Sequence, residues 1–251
     1  MRIKLLLSAF LAGLLVLPAT SWAEVFFGED LNSSSSTPLP EASRVNSSAA
    51  QASFLSNLYG VGTETFESYT NGQTGPIGIN FPGAGTATLS GDGFINSVPA
   101  GSASAGRYAT SGTQFWESRG AFNIDFTAPI AAFGFYGVDI GDFGGQITLT
   151  TMGGTTTTYT VDNTVGASGS TDGSVLFWGI IDTTNLFTSI SFGNTSGRND
   201  AFAFDDMIIG SVEQVCGQRG NPPCNVPESA SIALMGLGLI GLVAVRRRKF
   251  S

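Results

Sequence analysis

Four aspartates stand where chemistry with a hard cation could occur. Asp139 and Asp142 lie on a glycine-rich corner, and Asp205 and Asp206 are adjacent inside an apolar run. Carboxylates joined by backbone carbonyls suit calcium, so one expectation is a calcium ion held by Asp139, Asp142, Asp205 and Asp206. Neighbouring residues of a strand point to opposite faces, so Asp205 and Asp206 can act together only across a bulge. Asp206 shares parity with Phe202, Phe204 and Ile208, which aims it inward. A carboxylate buried there either holds a cation or accepts backbone N–H bonds and pins a loop.

A second chemistry is aromatic. Trp116, Tyr136 and Trp178, with Tyr108, would supply faces on which sugar rings stack, or else they are core residues. Trp116, followed by Glu117 and Arg119, is expected to be partly exposed. A third is hydrolysis of polysaccharide by two carboxylates roughly 5 to 9 Å apart. Nineteen acidic residues make chance pairs inevitable and mark out none, so no catalytic residue is assigned. The chain has no histidine, which excludes a Ser-His-Asp triad, histidine-ligated zinc and a histidine general base.

The elements that must position these groups read as strands. From about residue 62 to 210, short β-branched and aromatic runs alternate with glycine turns. Phe122, Ile124 and Phe126 alternate with Asn123 and Asp125. Gln146–Thr151 and Thr155–Val161 flank a Met152-Gly153-Gly154 turn, and Thr188, Ile190 and Phe192 share a face. The expected fold class is all-β, an antiparallel β-sandwich or jelly roll over residues 61–212. Residues 24–60, rich in Ser, Asn and Pro, read as a flexible arm.

Charge is segregated. Between Glu24 and Glu228 lie all nineteen acids against five arginines, a net of about −14, while the other six basic residues sit at the two ends. Such a body repels phosphate backbones, so nucleic acid is not an expected partner. Cys216 and Cys224 lie in a linker, residues 213–225, where a disulfide is expected in an oxidising compartment; free thiols or pairing between molecules are the alternatives.

The ends are addresses. Arg2 and Lys4, the apolar run Leu5–Leu17, Pro18 and Ser21-Trp22-Ala23 have the layout of a secretory signal over residues 1–23, cut by signal peptidase after Ala23. At the other end come Val226, Pro227 and Glu228, then the apolar run Ala230–Val245, then Arg246, Arg247, Arg248 and Lys249. Sixteen helical residues rise about 24 Å, a little less than the hydrocarbon core. The cationic cluster is held on the cytoplasmic side.

This tail, residues 226–251, resembles the PEP-CTERM sorting signal, with Ser229 standing where that family usually has proline. The resemblance implies recognition and cleavage by an exosortase-type membrane transpeptidase. It also implies a Gram-negative host that makes extracellular polysaccharide, passage through the inner membrane, and delivery to the outer surface or matrix. Phe133–Gly144 and Phe202–Gly210 resemble the β-sandwich ectodomain common among such proteins, whose relatives share no single activity. The expected function is a non-enzymatic structural or glycan-binding module associated with exopolysaccharide. The alternative is a jelly-roll polysaccharide-active enzyme using paired carboxylates.

Overall fold

Phe122, Ile124 and Phe126 turn toward the core from the longest strand, β5 (Gln114–Ile130), while Asn123 and Asp125 are exposed on its other side. The computed structural model describes residues 23–140, 146–151, 153–164, 171–193 and 201–217. The expected signal segment up to Trp22, Asp142, Cys224 and the sorting tail lie outside these residues. The other strands are β1 (Glu24–Asp30), β2 (Thr63–Glu64), β3 (Ile77–Phe81), β4 (Gly85–Ser97), β6 (Ala132–Val138), β7 (Gln146–Thr151), β8 (Thr156–Thr160), β9 (Val175–Ile181), β10 (Phe187–Gly193) and β11 (Phe202–Gly210). A helix, α1 (Val45–Leu55), comes early in the chain.

The strands pair antiparallel in the order β1-β9-β6-β11-β5-β10-β7-β8, with β4 on β5, β3 on β4 and β2 on β11. The long strand carries the sheet between two layers. Its first part, Trp116–Ser118, pairs with β11, and its later part, Phe122–Ile130, pairs with β10. The sheet therefore curls back on itself as a sandwich. Strand β9 is second in the order and β8 is last, yet the rings of Trp178 and Tyr159 lie 5.9 Å apart across the interior. Stacked Phe122 and Phe192, 4.3 Å between centroids, form the middle of that interior with Phe133, Phe135 and Phe204. The expected Thr-rich hairpin is present as β7 and β8.

Residues 24–60 are not an arm. Strand β1 pairs with β9 along its whole length, and α1 packs over β1 and β9. The helix starts where it does because Asp30, at the end of β1, accepts hydrogen bonds from the backbone N–H of Asn46 (3.0 Å) and Ser47 (2.8 Å). A carboxylate from another element thus satisfies first-turn donors and complements the helix dipole. The helix buries Ser47, Ala50 and Phe54. Phe54 lies against Gly134 and Gly179, where an added Cβ would come within 3.1 and 3.0 Å of its ring, so glycine at both positions lets the ring seat.

This second layer of packing explains the continuous apolar runs of β6, β9 and β11. Each is buried from end to end because the sandwich core covers one face and α1 with its flanking loops covers the other.

Candidate functional site

The expected parity of the last strand is overturned by a β-bulge. Between Asp205 and Ile208 the register of β11 on β6 shifts, and Asp206 takes a left-handed φ of +49°. Phe202, Phe204, Met207 and Ile209 therefore face the sandwich core, whereas Ile208 turns to the α1 side. The same shift brings both carboxylates onto one loop.

Asp205 is fully buried and accepts N–H bonds from Thr110 (2.7 Å), Ser111 (3.2 Å) and Asp206 (2.8 Å). Asp206 instead receives hydroxyls, Ser111 Oγ at 2.6 Å and Thr110 Oγ1 at 2.7 Å. Loop pinning by backbone N–H groups is thus the work of Asp205, not of Asp206. Thr110 Oγ1 also lies 2.9 Å from Asp205 Oδ2. One hydroxyl carries one proton, so Thr110 bridges the two carboxylates through a single donor.

Above Asp206 a polar cleft opens between α1 and the 98–112 segment. One lobe, of about 180 Å³, is lined by Glu41, Arg44, Tyr108 and Thr110 with residues 98–102. Its neighbour, of about 160 Å³, shares Glu41, Arg44 and Thr110 and adds Ser48, Gln51, Ser111, Tyr136 and Asp206. Arg44 is the hinge between them. Its Nε donates to Leu39 O (3.0 Å), its Nη1 donates to Thr110 O (2.9 Å), and the guanidinium sits 5.6 Å from the Tyr108 ring centroid.

The other site expectations divide. Asp139 belongs to a separate network: Arg107 Nη1 lies 3.5 Å from its Oδ2, and Gly173 N donates to its Oδ1 at 3.2 Å. Arg107 also lies 3.4 Å from Glu117, which Arg119 and Asn96 bind as well. Asp142 lies outside the described residues, and among the described residues no three His, Cys, Asp or Glu side chains converge. The four aspartates do not come together there as one donor set.

The aromatic platform is also corrected. Trp116 is 0% exposed, Trp178 1% and Tyr136 5%, so none presents a face to solvent. Trp116 packs on Phe122 and against Gly93, and Trp178 on Phe133, Phe135 and Tyr159. Tyr136 reaches the cleft only through its hydroxyl end, which donates to Gln51 Oε1 at 3.1 Å. Arg44, Ser48, Gln51, Thr110 and Ser111 were not singled out from sequence. The one available signal was that Arg44 is among only five arginines in a strongly acidic body. Cys216 is disulfide-bonded, and Cys224 lies outside the described residues.

Burial raises the pKa of both Asp205 and Asp206 above the usual value near 3.8; Asp206 pushes that of Asp205 further, and Arg44 partly offsets the rise at Asp206. The folded state then holds protons more tightly than the unfolded chain. Stability is highest at or below the unfolded value and falls as pH rises from about 3.8 through the raised values. Asp206→Asn removes one charge while tolerating the left-handed backbone. We expect its stability to decline less over that pH range than that of the wild type, by about 1.4 kcal/mol for each unit of raised pKa removed. Chemical denaturation of both proteins across the range checks this; parallel curves would contradict it.

Residues 225–249 match the model of the PEP-CTERM protein-sorting motif. The chain carries a PEP-CTERM sorting signal. A PEP-CTERM tail marks an exported protein handled by an exosortase-type system at the cell envelope. The tail follows the last described residue of the folded domain, Gly217, after only a short connector. No curated protein matches the sequence. Among solved structures, the chain is similar to the K2 cleaved adhesin domain of Lys-gingipain, at 18% identity, over 59% of this chain and 97% of that one, with a TM-score of 0.37. It is also similar to TmCBM61, solved in complex with β-1,4-galactotriose, at 16% identity, over 59% of this chain and 94% of that one, with a TM-score of 0.30.

Proposed function

We propose that this chain is a non-enzymatic surface module that works in the polysaccharide layer outside a Gram-negative cell. Signal peptidase removes residues 1–23, the domain folds outside the cytoplasm, and the apolar run Ala230–Val245 halts in the inner membrane. The Arg246–Lys249 cluster stays on the cytoplasmic side, because moving four cations through hydrocarbon is costly. Pro227 and Glu228 are then left at the outer face for an exosortase-type transpeptidase, which delivers the domain to the surface or matrix.

The observation that carries this reading is the match of the tail to a sorting motif directly behind an all-β body. The strongly acidic body fits a soluble life outside the cell and keeps nucleic acid from being a partner. Replacing Pro227 and Glu228 together by alanine tests it. We expect the variant to accumulate in the inner membrane with its tail intact, while the wild type loses the tail. Equal processing of both, read by fractionation and mass, would defeat the proposal.

A further inference from the structure

Two buried groups of opposite charge face the cleft without pairing. Arg44 is 9% exposed and Asp206 8%, and among the described residues no ion pair joins them or links Arg44 to another carboxylate. Both keep hydrogen-bonding capacity. Arg44 uses Nε and Nη1 on carbonyls and has no described partner at Nη2. Each carboxylate oxygen of Asp206 receives one hydroxyl contact and retains a second lone-pair site. Gln51 accepts from Tyr136 at Oε1, which turns its amide toward donation.

We propose that this cleft binds a neutral saccharide, with one hydroxyl of a ring donating to Asp206 and its neighbour accepting from Arg44. This rests on the surface-module reading and names its ligand class. A hydroxyl both donates and accepts, so adjacent hydroxyls satisfy a carboxylate and a guanidinium at once. A ligand of either charge meets at least one unfavourable group in the cleft. Anions face Asp206 and Glu41 within a body of net charge about −14, and cations face Arg44. Each lobe is smaller than the roughly 300–1,000 Å³ of a drug-sized site, and the two lobes are neighbours across Glu41, Arg44 and Thr110. Stacking is not the means of recognition, because Tyr108 is 2% exposed and carries the Arg44 guanidinium 5.6 Å from its ring centroid.

The test uses the mature chain on immobilised tetrasaccharides of neutral hexoses, N-acetylhexosamines and hexuronates. Ser48→Tyr fills one lobe from a half-buried helix position, and Gln51→Ala removes a donor without touching Arg44 or Asp206. We expect the wild type to bind a neutral tetrasaccharide, and each variant that retains the wild-type melting midpoint to bind it at least tenfold more weakly. Unchanged binding in a folded variant, a preference for hexuronates, or no binding to any member of the panel would overturn the assignment. Those results leave the sorting reading standing, since that reading is tested separately by the Pro227 and Glu228 variant.

Discussion

Deleting residues 24–56 is expected to abolish the cooperative melting transition of the domain. The segment supplies β1, which pairs with β9 from Glu24 to Asp30, and α1, whose Phe54 is fully buried. Without it, β9 becomes a sheet edge and Phe177, Tyr136 and Ile208 lose the cover of Phe26, Ala50 and Phe54. Burial of each large apolar side chain contributes about 1.5–3 kcal/mol, against a total stability of about 5–15 kcal/mol for a domain. Losing Phe26 and Phe54 together with a complete strand pairing removes most of that margin. Circular dichroism melting of the shortened chain checks the expectation. A transition at the wild-type midpoint would return these residues to the status of an arm.

Phe204→Ala has the largest effect of any single substitution we expect. Its ring lies 5.0 Å from Phe135 and 5.5 Å from both Phe122 and Phe192, with Phe66 at 6.2 Å. Phe135, Phe122 and Phe192 come from three different strands and Phe66 from the segment after β2, so the cavity left behind cannot close by moving one element. A buried phenylalanine cut to alanine typically loses about 3–5 kcal/mol. Urea titration reads the loss as a lowered midpoint at unchanged slope. Phe27→Ala is the control: Phe27 is 38% exposed on an edge strand, and its replacement is expected to lower stability far less. A similar loss in both would contradict the picture of a core centred on Phe204.

The strands were legible where one face meets water. Phe122, Ile124 and Phe126 alternate with exposed neighbours in β5, and the Thr-rich hairpin announces itself by its Gly-Gly turn. Helix α1 was hidden because its buried face is Ser47, Ala50 and Phe54, mostly small residues that carry little apolar signal. They are chosen for closeness to Gly28, Gly134 and Gly179, a property of the partner strands. Asp206 was misplaced because a bulge resets the parity of β11, so Met207 takes the inward place that strict alternation gives to Ile208. The cleft was invisible for a related reason. Arg44 meets Thr110 across 66 residues, and Asp206 meets the same threonine across 96. By contrast, the sorting tail is local, a fixed order of chemical types within 25 residues, and needs no tertiary contact to be read.

Everything proposed for this chain depends on its being cut at both ends by machinery that reads those ends, with the folded body between them delivered outside. Intact mass of the protein recovered from its host tests this most directly. The account predicts a chain that begins at Glu24 and ends before Ala230. A chain that still carries Met1 and runs to Ser251 would contradict it.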